Sequence, residues 1–404
     1  MFNRAAFLRM AAAVGALGAA PERAWGAQPM DRDHPNRVER ALALSGGGAR
    51  GAYEGGIIDY LVQAGGIRDG EPLTPYGFVC GTSIGALNGY FVATAQYSKL
   101  RELWYTIAQR DIVRLKPQYA KIVNLDAGVG DRVAQAVGLG VGAATNVTGV
   151  IDGTRVRDFI AEHAGPNHPV VMPFAWTVTN LTRAAPEYFY LAEVLNANPE
   201  LRNRARIAVR ATVGPSSVLR EATPDLLVPS LQASAALPIA FDPVVMPAAD
   251  GSGLHQYCDG GVTENTPIGI ARAAAENVDV VMMDPPRELD HYVNALEVGL
   301  GAFGTLQRVN LEANVRSAYF ESLSKRAFQR VPLTGSDAYV REIETVARLL
   351  FASDFYVMRP NAVLPVSVGG FNDVNGIYQT YVRGFNDARN GFTKFEFNQA
   401  ELEG

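Results

Sequence analysis

Twice near the start of the chain, a short apolar run breaks off in glycines and a helical pattern follows at once. The first case is "ALALSGGGARGAYEGG" at 41–56 and the second is "YGFVCGTSIGALNGYFVATA" at 76–95. An apolar run of this kind reads as a strand buried on both faces, and strand, turn and helix in succession build a parallel sheet. About 35 residues separate the two turns, enough for one strand-helix-strand crossover, whose right-handed sense brings both turns to the same carboxyl edge. The runs "PFAWTVTNL" (173–181) and "VDVVMMD" (278–284) continue the alternation. The expected fold class is therefore α/β, a mostly parallel central sheet covered by helices on both faces.

With 404 residues, 48% of them hydrophobic, the chain can bury a large core. It shows no internal repeat and no long polar linker, so one elaborated domain is expected, with a core at 38–290. Residues 291–404 are expected as a helical extension packed on that domain, because the segment from about 291 to 325 carries an apolar stripe at helical spacing. The Gly-, Ala- and Val-rich segment 124–153 is too small-sided for a firm core helix and too apolar for an ordinary linker. It is read either as a mobile lid or acyl-chain wall, or as a packed surface excursion.

The balance of 36 basic and 41 acidic residues, with no basic run, speaks against a nucleic-acid partner. Residues 1–27 have the layout of a signal peptide: Arg4 and Arg9, an apolar stretch from Met10 to Ala20, then small residues up to Ala27. That stretch is far shorter than the roughly 20 residues of a spanning helix, and no later segment approaches that length. "NRAAFLR" is similar to a twin-arginine signal with Ala5 in place of the second arginine, which leaves the ordinary secretory route equally open. The expectation is an exported protein of bacterial type, periplasmic or secreted, with no transmembrane span. Cys80 and Cys258, the only cysteines, read as two small buried residues beside strand ends, with a bridge as the alternative in an oxidising compartment.

In the first turn, Ser45 to Ala49 lie between a strand ending near Leu44 and a helix beginning near Arg50. That helix should show Ile57, Leu61 and Ala64 on one face and stop at Gly65 and Gly66. Backbone N–H groups and the helix dipole then favour negative charge beside the loop. Gly46, Gly48 and Gly51 fit the dinucleotide fingerprint formally, but that site needs a second strand ending in an acid about 20 residues on, and "AGGIRDGEPLTP" is no strand.

The second turn is a G-x-S-x-G elbow, Gly81-Thr82-Ser83-Ile84-Gly85. Glycines two residues either side of the serine are needed because a side chain at Gly81 or Gly85 would meet the crossing backbone. Loop amides and serine hydroxyl then converge, and the negative charge awaited by the loop is an oxyanion formed by attack of Ser83. Downstream, "CDGGVTENTP" (258–267) offers Asp259 on a turn opened by Gly260 and Gly261. A free aspartate titrates near 3.9 and is a poor base unless burial raises it. Of the downstream histidines, His255 precedes the acid and His291 follows "PRELD"; neither sits in a glycine-flanked loop after a strand.

Together, "SGGGARG", "GTSIG" and "DGG" resemble the motifs of the patatin-like phospholipases, in that family's order. The similarity runs from about Val38 to about Asp284 and includes "ASAALPIAFDPV" (233–244), Asn265 and Pro267. The resemblance implies a three-layer α/β/α fold related to cytosolic phospholipase A2, and a Ser-Asp dyad that needs no histidine, metal or cofactor. It makes Ser83 the nucleophile, Asp259 the base and the amides of Gly46, Gly47 and Gly48 the oxyanion hole. Arg50 takes the motif's basic position, where it would order the loop or attract a phosphate headgroup. The implied substrate is a lipid or phospholipid at a membrane or micelle surface. Two other readings stay open: a Ser-His-Asp esterase using His291, and a non-catalytic lipid-binding protein.

Overall fold

The computed structural model describes residues 37–109, 149–165, 168–191, 217–238, 240–285, 313–327 and 350–396, with isolated positions near 114–117, 198–206, 311 and 329. In chain order the strands are β1 (Val38–Leu44), β2 (Phe78–Thr82), β3 (Phe174–Asn180), β4 (Ala185–Tyr190) and β5 (Val218–Glu221). They continue with β6 (Val244–Pro247), β7 (Leu254–Asp259), β8 (Ala275–Val281), β9 (Asp354–Met358) and β10 (Thr393–Lys394). The helices used below are α1 (Gly51–Gly65), α2 (Ile84–Ala93), α3 (Tyr97–Thr106), α4 (Gly153–His163), α5 (Pro224–Ser234), α6 (Ile268–Ala274) and α7 (Val374–Ala388).

The ten strands among the described residues join one sheet, ordered β10-β9-β8-β1-β2-β3-β4-β5, with β7 added to β3 and β6 to β7. Pairing is parallel from β9 through β8, β1 and β2 to β3, and antiparallel strands flank that centre. β1 shows why the apolar runs lack alternation. Leu42 and Leu44 project into the core formed with α1, α2 and α3, while Ala41 and Ala43 project into a second core shared with Ile268, Ile270 and Val315. A strand covered on both faces has no polar side to show, and the two cores make the three layers.

Helix α1 ends at Gly66 in the left-handed conformation (φ 63°), matching the stop read from the glycine pair. Its buried face differs from the expected one. Tyr53, Ile57, Ile58 and Val62 are buried, Leu61 is half-buried and Ala64 is exposed, because α7 crosses the first turns of α1 and leaves the last turn open. The C-terminal stretch is also more than a helical extension. It supplies β9, paired in parallel with β8, the short β10, and α7. "DFYVM" is an ordinary sheet strand whose identity depends on the β8 edge it covers. Segment 110–148 and residues 1–36, with the lid and signal-peptide expectations, lie almost wholly outside the described residues.

Register places the functional loops. Leu44 is level with Gly81 on one side and Val281 on the other, so the turns after β1, β2 and β8 leave the sheet side by side.

Candidate active site

Ser83 sits between the last residue of β2 and the first of α2, at φ 56° and ψ −124°, a conformation that costs a non-glycine residue on the order of 1–3 kcal/mol. The surroundings hold it there. A Cβ on Gly81 would run into the carbonyl of Gly85, and one on Gly85 would stand 2.5 Å from the carbonyl oxygen of Ser45, so the elbow closes only with glycine at both places. The Ser83 N–H donates to Ser234 Oγ (2.9 Å), and that hydroxyl donates to the carbonyl of Thr177 (2.7 Å).

Asp259 reaches the serine through an unusual use of β3. One edge of β3 pairs with β4 along Ala175–Asn180. The other edge is shared: β2 occupies it up to Thr82, opposite Thr177, and β7 arrives from the opposite direction, ending with Asp259 opposite Val178. The two strands meet head to head, and the residues at their tips are Ser83 and Asp259. The Ser83 side chain lies beside the Asp259 carboxyl, close enough to favour its charged form. Asp259 also accepts from the Gly261 N–H (2.7 Å), and its own N–H donates to the carbonyl of Ala236 (2.9 Å). Gly260 lies so close under the Thr177 carbonyl that a Cβ has no room.

The carboxyl of Asp259 is 2% exposed, and burial pushes its pKa from 3.8 up to about 7, against the opposing pull of the bonds from Ser83 and Gly261. Desolvation disfavours the charged form. The result is a carboxyl that can take and return a proton near neutrality, next to a hydroxyl held at a turn.

The glycine loop passes directly against the serine: a Cβ on Gly46 would stand 3.2 Å from that of Ser83. Its anchoring separates the three amides expected to act together. Gly46 donates its N–H to the carbonyl of Asn265 (2.9 Å) and accepts at its own carbonyl from Asn265 Nδ2 (3.2 Å), so that amide is already engaged. The N–H groups of Gly47 and Gly48 have no acceptor among the described residues. Gly48 adopts φ 57°, where glycine is favoured, and Ala49 N–H is held by the carbonyl of Val368 (2.9 Å). Arg50 Nη1 bonds Asp284 Oδ1 at 2.5 Å, tying the loop to the end of β8, and Gly51 packs against Ile84 and Trp104.

No histidine bonds Ser83 or Asp259 among the described residues. His255 lies on β7 with its ring nitrogens engaged by Asn180 Nδ2 (3.0 Å) and Ser252 Oγ (3.2 Å), and His291 lies outside the described residues. Cys80 and Cys258 are free and buried, and burial pushes Cys258 up to about 12. Among the described residues no His, Cys, Asp or Glu cluster is placed to hold a metal, and no helix is long and apolar enough to cross a membrane.

Several residues of this site carry no local signal in the sequence. Ser234 stands in the recognised block at 233–244, whose physical use is now plain: it supplies Ser234 to the serine and the Ala236 carbonyl to the aspartate. Glu54 is fully buried on α1, where the only hint is an acid among apolar neighbours.

The patatin-like phospholipase family matches residues 42–272, more than half of the chain and all three motifs. The chain belongs to that family, and at that level it is a lipid acyl hydrolase with the patatin-like α/β fold. Among solved structures it is similar to VipD from Legionella pneumophila, at 13% identity and a TM-score of 0.33, with 90% of this chain and 68% of that one covered. No curated protein matches it.

Proposed function

We propose that this chain hydrolyses fatty-acyl esters of lipids, phospholipids among them, with Ser83 as nucleophile, Asp259 as general base, and the amides of Gly47 and Gly48 as the oxyanion hole. The observation that carries this reading is the juxtaposition of Ser83 and Asp259 at the junction of β2 and β7, with the carboxyl raised to about 7 by burial. Asp259 takes the Ser83 proton as Oγ attacks the ester carbonyl, and the two free amides hold the oxyanion. Collapse breaks the carbon–oxygen bond of the leaving alcohol, which leaves with the proton from Asp259. In the second half, Asp259 takes a proton from water as it attacks the acyl-enzyme, fatty acid departs, and Ser83 recovers its proton. A base with a pKa near 7 suits both directions of transfer. The scheme draws on no metal or cofactor.

The test is release of free fatty acid from phospholipid vesicles and of alcohol from a short p-nitrophenyl ester. Ser83→Ala and Asp259→Asn should each abolish both reactions, and His291→Ala should keep them. Loss on changing His291 would move the protein to the triad class, and a folded but inactive wild type would favour a lipid-binding role. Export is part of the same proposal: protein recovered from its host should begin near Ala27, and an intact Met1 there would overturn it.

A further inference from the structure

Beneath the glycine loop lies a polar group that the mechanism above does not use. Glu54 is 0% exposed, and no ion pair to it exists among the described residues. One carboxyl oxygen, Oε1, accepts from the N–H of Ser45 (2.8 Å), the residue just before Gly46. The other, Oε2, accepts from Asn88 Nδ2 (2.9 Å). Asn88 is buried on α2, the helix that begins at Ser83, and its Nδ2 also donates to the carbonyl of Gly51 (3.1 Å). Its Oδ1 accepts from Trp104 Nε1 (3.1 Å).

An unpaired buried carboxyl is expensive, and packing alone would be served better by an apolar residue of the same size. The placement of its two bonds shows what it does. One oxygen holds the root of the loop that carries the Gly47 and Gly48 amides, and the other holds the helix that carries Ser83. Glu54 thus spans the two parts whose separation sets whether those amides reach the oxygen of a carbonyl attacked by Ser83.

The direction of every bond in the chain is determined. Trp104 Nε1–H can only donate, so Asn88 must turn its oxygen to Trp104 and its amide nitrogen to Glu54. Both neighbours, Ser45 N–H and Asn88 Nδ2, are donors, so Glu54 is met by a donor at each oxygen. A glutamine at 54 can still accept from Ser45, but it would set its own NH2 against that of Asn88.

We infer that Glu54 and Asn88 are a pair of positioning residues that fix the glycine loop against the Ser83 elbow, so that the two free amides are in place when the tetrahedral oxyanion forms. The inference rests on the dyad reading. It predicts a loss in the chemical step rather than in ground-state binding, because a donor displaced by a fraction of an ångström weakens only the transition-state contact.

The experiment compares wild type, Glu54→Gln, Asn88→Asp and the double variant on p-nitrophenyl butyrate, with Ser83→Ala as blank and thermal unfolding measured on each. Glu54→Gln is expected to lower kcat about 10- to 100-fold with KM nearly unchanged. Asn88→Asp, which faces two carboxyls toward each other, should be at least as poor. The double variant restores the donor–acceptor order toward position 54 and Trp104, since the carboxylate introduced at position 88 can accept from both, though it leaves the Gly51 carbonyl without its donor; it should recover kcat above either single variant, short of wild type. A merely structural role would show as lowered unfolding temperatures with the kcat of the folded protein unchanged, whereas a positioning role lowers kcat in fully folded protein. Wild-type kcat in folded Glu54→Gln, or a double variant no faster than the singles, would overturn the inference and leave the dyad standing. A wild type with no Ser83-dependent cleavage would overturn both. Should Glu54→Gln not fold, Trp104→Phe decides: it releases the Asn88 amide and should lower kcat several-fold at constant KM, and an unchanged kcat would refute the pairing.

Discussion

Acidity offers the sharpest test of the Asp259 assignment, because catalysis and stability should respond to it with opposite signs. The base must be ionised to accept the Ser83 proton, so kcat/KM should follow the ionised fraction of Asp259 in the free enzyme. With a pKa of about 7, activity should be half its plateau at about pH 7, about a tenth at pH 6 and about a hundredth at pH 5. A solvated aspartate titrating near 3.9 would keep the plateau down to about pH 5.

Stability moves the other way. The folded pKa is raised above the unfolded 3.8, so this group's contribution is fully present below 3.8 and is lost as pH rises through about 7. The full swing is on the order of 4 kcal/mol, about three pK units at 1.36 kcal/mol each. Burial raises Glu54 to about 8 and Glu264 to about 7, and both act in the same sense. Between pH 8 and pH 6 the protein should therefore become slower and more resistant to unfolding together. The assay is fatty-acid release quantified by chromatography, which is indifferent to the ionisation of a chromophore, with urea midpoints taken at each pH. An acid limb with its midpoint near 4, or a urea midpoint that falls between pH 8 and pH 6, would refute the buried-base argument.

Two further outcomes follow from the loop and the elbow. Ser234→Ala removes the acceptor of the buried Ser83 N–H, so it should cost about 1–3 kcal/mol in urea unfolding and lower kcat, since the strained elbow loses its tether; unchanged values of both would refute that role. Gly48→Ala places a Cβ against the Val368 carbonyl at a left-handed φ and should cut turnover on the order of 100-fold while also destabilising the fold, whereas Gly47→Val meets only the flexible end of Met283 and should cut turnover similarly with near-native unfolding. Full activity in either variant would withdraw the oxyanion loop.

Much of this protein is written locally. The apolar runs that became β1, β2, β3 and β8, the glycine stop of α1, and the glycines that let the backbone cross at Ser83 are each demands that a residue makes on its own few neighbours. That is why the fold class and the tight turn at Ser83 were legible before any contact was known. The placement of Asp259 against Ser83 is of another kind. Asp259 meets Ser83 because β7 takes over the edge of β3 at the point where β2 stops, and no local pattern states that register. Ser234 holds Ser83 across 151 positions, and Asn265 engages the Gly46 amide across 219, withdrawing it from the set of three that the motif suggested. Glu54 and Asn88 read singly as polar residues on two helices, and β9 as one more apolar run. Backbone conformation and apolar periodicity are short-range properties that the order of residues determines directly. Which buried donor faces which acceptor, and how far a desolvated carboxyl is pushed, depend on distances that exist only after the layers have packed, and these were decided by the tertiary structure.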